Sequence, residues 1–274
     1  AAFHAPLAGV LFSLEEVHKN FSVSLLIGVM SSSLMADFVS SKVFGLNAVF
    51  SFGTIQNIPR SDYLLLILLG LILGLLGVFY NWFTLRVQRL YQEAKAIPEV
   101  LRMLFPFMVA GILAFVMPEI LGSGHNLIED LTTKPMALGM VLLILVGRFV
   151  FSAVSFGSGV PGGIFFPLLV IGGYIGGAFA LLVNPTYISN FVILAMAGYF
   201  AAIVRAPLTG IILIFEMTGS LNQMMSLSLV SIVAYVVATM MRSKPIYESL
   251  LERLLKRQKK EIDPLHKNAQ EEKV

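Results

Sequence analysis

The chain has 274 residues, of which 57% are hydrophobic and 13% are charged, and its mean hydropathy is +0.85. Soluble domains carry about 25% charged residues, so this composition excludes a disordered chain and predicts a membrane protein. The absence of Cys excludes a disulfide scaffold and thiolate chemistry. The formal net charge of +3 comes from basic residues in short loops and a C-terminal tail, a pattern typical of membrane topology, and we expect no nucleic-acid partner.

Apolar runs of two lengths follow one another along the chain. A helix needs about 20 apolar residues to cross the hydrocarbon core, whereas shorter runs are typical of broken or re-entrant helices. The runs long enough to span are 21–38, 63–82, 104–121, 136–152 and 224–241. The shorter units are 6–16, 163–183, 191–204 and 207–217. We therefore predict an all-α, polytopic membrane protein with broken helices.

The distribution of Lys and Arg predicts the orientation of the chain. Basic residues concentrate in the loop after residue 82 and in the polar tail 248–274, so we expect both to be cytoplasmic. The loops 40–62 and 120–135 hold few basic residues and belong on the opposite side. Because the chain opens inside an apolar stretch without Met, we expect a fragment whose upstream spans are missing.

A short internal repeat divides the chain. Ala5-Pro6-Leu7-Ala8-Gly9 followed by Glu15 recurs about 200 positions later as Ala206-Pro207-Leu208-Thr209-Gly210 followed by Glu216, with the same spacing from Pro to Glu. Transporters built from duplicated halves place corresponding broken helices around a central site, which favours two structural halves. The alternative is that this pentapeptide is a common start for an apolar helix, because Pro is tolerated in a first turn.

The segment 157–167, GSGVPGGIFFP, interrupts the apolar sequence with Gly and Pro. Each interior Gly costs a helix about 1 kcal/mol and an interior Pro about 3 kcal/mol, so we predict a loop at membrane depth. The apolar run after it predicts a helix whose N-terminal N–H groups and positive dipole end favour an anion. A packing loop where helices cross closely is the alternative.

GSGVPGGIFFP, the two APLxG helices, VRAPLTGIILIFEMT and SKPIY together resemble the ClC family of chloride channels and proton-coupled chloride transporters, of the bacterial type. The resemblance runs from residue 1 to about 255. It implies an inverted-repeat architecture of tilted and broken helices, with 1–40 as the end of a first repeat, 41–247 as the second and 248–274 as the tail. It also implies a homodimer in the bacterial inner membrane, and a gating glutamate and a serine segment upstream of Ala1.

The resemblance implies the chloride ligands. The family's GxFxP segment matches Gly163, Ile164, Phe165, Phe166 and Pro167, so the backbone N–H groups of Ile164 and Phe165 should contact a central chloride. The family's chloride-coordinating tyrosine matches the last residue of SKPIY, which makes the Tyr247 hydroxyl the second contact. A neutral O–H donor holds an anion without trapping it.

The pair Glu15-Glu16 ends an apolar half-helix. A buried acid within a membrane protein is a functional candidate, because burial raises its pKa toward neutrality. The resemblance implies that Glu16 is a proton-transfer site facing the cytoplasm, and that Glu15 is a helix-end or interface residue. Without the resemblance, a solvated helix terminus would be the simpler interpretation of Glu16, because His18 and Lys19 follow it.

Two transport functions fit this pattern: chloride–proton exchange, which Glu16 favours, and a passive chloride channel. An intramembrane hydrolase and a purely structural subunit are weaker alternatives, so we expect no enzyme. We predict structural roles for Glu216, Arg148 and Arg205 through backbone or ion-pair contacts. We expect no metal site and no cofactor beyond the transported chloride. Trp82 and Tyr80 fit an interfacial aromatic belt.

Overall fold

The computed structural model describes residues 3–45, 49, 50, 52, 55, 58–94, 98–160, 162–219 and 223–255. All regular secondary structure in these ranges is helical, which confirms the predicted all-α class. In chain order the helices are α1 (Pro6–Phe12), α2 (Val23–Phe44), α3 (Tyr63–Glu93), α4 (Glu99–Val116), α5 (His125–Thr133), α6 (Leu138–Gly157), α7 (Phe165–Val183), α8 (Ile188–Val204), α9 (Pro207–Thr218), α10 (Met224–Met240) and α11 (246–255). The π-helical turn Ser13–Val17 continues α1 without a break.

Five helical segments within the described ranges are long and apolar enough to cross a membrane. They are Val23–Phe44, Arg60–Glu93, Leu138–Gly157, Phe165–Val183 and Pro185–Val204. The last two were expected to be short, broken units, and that length prediction is wrong. Conversely, α4 and α10 were expected to span, but their apolar parts are shorter than the other five. A mixture of spanning and shorter helices is what the run lengths predicted, although the lengths of four individual runs differ from the prediction.

The core lies around α7 and α8. All residues from Leu168 to Ala180 are buried, as are all residues from Asn190 to Val204. Glycines allow this close contact. A Cβ added at Gly172 would lie 2.8 Å from the carbonyl oxygen of Ala195, and one at Gly176 would overlap the carbonyl oxygen of Phe191. The glycine-rich sequence of α7 is thus required where its backbone approaches that of α8.

Helix α5 occupies part of the segment that we predicted to be a loop, 120–135. It begins after Gly124, whose φ of 88° is left-handed and therefore favours glycine. A Cβ at Gly124 would also lie 2.7 Å from the guanidinium of Arg148. Helix α5 buries Leu127, Ile128 and Leu131 on one face, and this amphipathic pattern is too short and too polar to stand out among long apolar runs.

Candidate anion and proton site

The glycine-rich loop leads directly into the N-terminus of α7, as predicted. Helix α6 ends at Gly157, Gly159 has a left-handed φ of 84°, and α7 begins at Phe165 with Ile164 as its N-cap residue. No side chain caps this helix. Pro161 lies outside the described residues.

The first amides of α7 are available to a ligand. Among the described residues, no acceptor bonds the N–H groups of Ile164, Phe165 or Phe166. Pro167 contributes no N–H, and Gly163, just before the N-cap residue Ile164, is exposed. Unpaired N–H groups and the positive end of the helix dipole together favour an anion at this position.

Tyr247 lies beside this helix terminus although more than 80 positions separate it from Phe165. Its ring centroid is 6.2 Å from that of Phe165 and 5.9 Å from that of Phe12. The rings of Phe12 and Phe165 are 4.9 Å apart in an edge-on arrangement. Three segments, α1, the start of α7 and α11, therefore converge on one aromatic cluster, which we define as Phe12, Phe165 and Tyr247.

The Tyr247 side chain is partly buried, and its hydroxyl bonds no other described residue. Burial, with a further effect from the nearby Glu16 carboxylate, raises the pKa of Tyr247 above its ordinary value. The hydroxyl therefore stays protonated at physiological pH. A neutral O–H donor next to an unpaired helix N-terminus is suited to hold a small anion.

Glu16 lies in the π-helical turn, outside the five spanning segments, and its side chain is buried with 7% exposure. Burial raises the pKa of Glu16 to about 7, while Lys19 opposes this shift and Glu248 and Glu15 add to it. A carboxyl that titrates near neutral pH can both accept and release protons under physiological conditions. Short π-helical turns are frequent at functional sites.

Glu15 and Glu216 join the two copies of the repeat reciprocally. The Glu15 carboxylate accepts hydrogen bonds from the N–H of Leu208 at 3.2 Å and of Thr209 at 2.9 Å, at the start of α9. The Glu216 carboxylate accepts from the N–H of Leu7 at 3.0 Å and of Ala8 at 2.8 Å, at the start of α1. Each carboxylate satisfies amides that the first turn of a helix leaves unpaired. This geometry agrees with the helix-end or interface role expected of Glu15 and with the backbone-bonding role expected of Glu216.

Both arginines predicted to be structural bind carbonyl groups. Arg148, 4% exposed on α6, donates to the carbonyl oxygens of Gly122 at 2.9 Å and Leu121 at 3.1 Å. Arg205 donates to the carbonyl oxygens of Tyr235 at 2.9 Å and Ser243 at 2.6 Å, and also to that of Ala238. Arg205 therefore binds the carbonyl groups at the C-terminal end of α10, where a cation is favourable.

Sequence reasoning missed two parts of the site. Phe12 lies four positions before Glu16 on the same helical segment, so helical spacing could have placed it beside the proposed proton group. The ion pair between Lys19 and Glu248 joins residues far apart in the sequence, and no local pattern indicates it. In the described ranges, no group of three His, Cys, Asp or Glu residues is arranged for a metal ion.

The family model for the voltage gated chloride channel matches residues 1–239. The chain belongs to this family. The H(+)/Cl(-) exchange transporter ClcA of Vibrio cholerae is 35% identical to it over 270 residues, covering 94% of this chain and 58% of the relative. The transporter of the same name from Klebsiella pneumoniae is 33% identical over 272 residues, with 95% and 58% covered. The chain thus spans a little over half the length of these relatives.

Solved structures of the family share the fold. A slow cyanobacterial Cl-/H+ antiporter aligns with a TM-score of 0.85 and 29% identity, covering 94% of this chain and 63% of that one. A CLC-type fluoride/proton antiporter aligns with a TM-score of 0.71 and 22% identity, covering 86% and 59%, which shows the fold alone. The chain therefore has the ClC fold of a polytopic membrane protein, as its resemblance to the family implied.

Proposed function

We propose that this chain is the part of a chloride–proton antiporter that holds one chloride ion and the cytoplasmic proton-transfer group. The proposal rests on the contact between the rings of Tyr247 and Phe165 at an uncapped helix N-terminus, and on the buried Glu16 carboxyl, whose charge acts on Tyr247. A helix terminus alone would suit many anions. The adjoining acid that titrates near pH 7 favours coupling to protons.

The proposed chloride ligands are the amides of Ile164 and Phe165 and the hydroxyl of Tyr247. All three donors are neutral, so they lower the cost of removing water from the ion without holding it as tightly as a buried cation would. Gly163, Phe166 and Pro167 shape the turn. A side chain at Gly163 would meet no atom within 4 Å, which leaves the approach to the amides open.

Exchange is favoured over passive conduction by two observations. Glu16 is retained, and relatives that are at least 33% identical are named H(+)/Cl(-) exchange transporters. In exchange, Glu16 would take a proton from the cytoplasm and pass it toward the anion path. The aromatic cluster of Phe12, Phe165 and Tyr247 lies at the start of α7, and we propose that water or a movement of these rings completes the proton path.

We also propose the larger organisation that the repeat predicts. Residues 1–40 would end a first inverted repeat, 41–247 would form the second, and 248–274 would be a cytoplasmic tail. The reciprocal bonds of Glu15 and Glu216 support this division, because equivalent acids cap equivalent helices in opposite halves. The inner membrane of a bacterium is the proposed location, in keeping with the bacterial relatives.

A homodimer is proposed from the apolar surface of the helices that carry the repeat. Among the described residues, none of α2 is buried, and it exposes Ile27, Met35 and Phe38 to 58% or more. Leu7 on α1 and Leu208 on α9 are exposed as well. In a membrane these exposed apolar side chains would contact either lipid or a second copy of the same chain, and we propose the second copy because α1 and α9 carry the repeat.

The experiment that tests the function is proton movement driven by chloride. The full-length protein is reconstituted in liposomes, an outward chloride gradient is imposed, and the external pH is recorded. While chloride leaves, an antiporter moves protons into the liposomes, so the external pH rises. Glu16→Gln should abolish this pH change and retain chloride flux. Chloride flux without proton movement in the wild type would contradict exchange and support a channel.

A further inference from the structure

The ion pair between Lys19 and Glu248 connects the two segments that carry the proposed proton and chloride groups. Lys19 Nζ lies 2.8 Å from Glu248 Oε2, and the two side chains are 49% and 39% exposed. Lys19 follows Glu16 by three positions, and Glu248 follows Tyr247 directly. Both partly exposed charges act on the buried Glu16 carboxyl.

The backbone fixes this arrangement. Lys19 has a φ of 50°, in the left-handed region that only a few per cent of non-glycine residues adopt. Its hydrogen bond to Glu248 raises the pKa of Lys19 and keeps the ammonium group charged. The turn between the π-helical segment and α2 is thus tied to α11.

Three other titratable residues near Glu16, namely Glu15, His18 and Tyr247, make their own contacts with other groups. The Glu15 carboxylate is bonded to the first amides of α9, and the Tyr247 ring on α11 contacts the ring of Phe165 at the start of α7. His18 Nδ1 lies 3.0 Å from the carbonyl oxygen of Ser13. Lys19 and Glu248 remain as the charges whose balance acts on Glu16 from the solvent side.

We propose that Glu248 is a positioning residue for proton exchange: by binding Lys19 it sets the pH at which Glu16 takes up a proton from the cytoplasm. The inference rests on the proton role proposed for Glu16. With the pair intact, the positive charge of Lys19 is largely balanced by Glu248, so Glu16 can bind a proton near neutral pH. When one partner is replaced, the charge of the other is no longer balanced and acts alone on the Glu16 carboxyl.

The two partners act on Glu16 in opposite directions, and this distinguishes an electrostatic role from a mechanical one. Lys19 lowers the pKa of Glu16 and Glu248 raises it. Glu248→Gln should therefore move the titration of Glu16 to lower pH, and Lys19→Met should move it to higher pH. For partly exposed charges we expect about half a pH unit in each direction. If the ion pair only held the two segments together, both variants would shift the titration midpoint of Glu16 in the same direction.

The test measures the titration of Glu16 without relying on transport. Infrared difference spectra of the purified full-length protein are recorded across pH 5 to 9, and the band of the protonated Glu16 carboxyl is identified by its absence in Glu16→Gln. Wild type, Glu248→Gln and Lys19→Met are compared. Asp130→Asn on α5 is the matched control, because it breaks a second exposed ion pair, with Lys134.

Opposite shifts in Glu248→Gln and Lys19→Met, with no shift in Asp130→Asn, would support the proposal. Shifts in the same direction, or none in either variant, would overturn it. The pH profile of proton movement in liposomes is then measured for the same proteins. If the infrared midpoints shift while the wild type moves no protons, the electrostatic role of the pair stands and the proposed exchange fails.

Discussion

Glu15 caps the start of α9, the helix that carries Glu216, and Glu216 caps the start of α1, the helix that leads to Glu15. Glu15, at the end of the α1 segment, binds the first amides of α9, and Glu216, near the end of α9, binds the first amides of α1. Pro is the first residue of both helices, so one unpaired N–H is already removed from each first turn. The repeated Pro-to-Glu spacing thus has a physical reason, because it places each Glu where its carboxylate binds the first amides of the other helix.

Removing either carboxylate should destabilise the fold. Glu216→Ala leaves the amides of Leu7 and Ala8 without an acceptor, and hydrogen bonds to charged groups contribute about 1.5–3 kcal/mol each, so we expect a loss of about 2–4 kcal/mol. Glu15→Ala should lose a similar amount through Leu208 and Thr209. Thermal unfolding in detergent measures both, with exposed Glu119→Ala as the control. Losses no larger than the control's would show that water replaces these caps.

The chloride site can be tested by removing one oxygen atom. Tyr247→Phe keeps the ring contacts with Phe12 and Phe165 but removes the hydroxyl donor. A hydrogen bond to a charged ligand contributes about 1.5 kcal/mol, so chloride affinity measured by calorimetry should fall about tenfold. Tyr187→Phe, which changes a tyrosine outside the aromatic cluster, should bind chloride as the wild type does. Unchanged affinity in Tyr247→Phe would remove Tyr247 from the site.

The pH dependence of stability should change when Glu16 is replaced by its neutral isostere. Because the pKa of Glu16 is raised in the folded state, the wild type loses stability as pH rises from the unfolded value of 4.5 through about 7. Glu16→Gln has no such loss, so it should exceed the wild type by about 1–3 kcal/mol at pH 8 and match it at pH 4. Thermal unfolding across this pH range measures the difference. A wild type that is the more stable protein at pH 8 would contradict the burial of an ionisable carboxyl.

The close contact between α7 and α8 should not tolerate a methyl group. Gly176→Ala places a Cβ against the carbonyl oxygen of Phe191, so the helices must separate, and we expect a loss of about 2 kcal/mol or more. Gly111→Ala is the matched control. Its Cβ meets nothing within 4 Å, and Ala favours a helix interior by about 1 kcal/mol over Gly. Unfolding midpoints that move in the same direction for both variants would refute the packing argument.

The local features of the site could be predicted from the sequence because they depend on backbone chemistry. Gly and Pro between 157 and 167 forbid a continuous helix, and the apolar run after them requires a new helix start at about Phe165. Tyr247 could not be placed in this way. Its position beside Phe165 depends on how α11 packs, and only the family resemblance indicated it.

Tertiary packing determines which aromatic side chains of α3 are buried, and the sequence alone did not indicate this. Tyr80 was assigned to an interfacial belt, but it is fully buried and its hydroxyl lies 2.8 Å from Ser152 Oγ, so that prediction is wrong. Trp82, two residues later on α3, is 60% exposed. Two aromatic residues that lie two positions apart on one helix can therefore face the core and the outside, and composition alone does not distinguish them.

Exchange of chloride for protons through Glu16 can be measured as the reversal potential of the full-length protein in planar bilayers under opposed chloride and proton gradients. We predict a wild-type reversal potential displaced from the chloride equilibrium value, and a return to that value in Glu16→Gln. A wild type that reverses at the chloride equilibrium value whatever the proton gradient would contradict the account, and would identify the protein as a chloride channel.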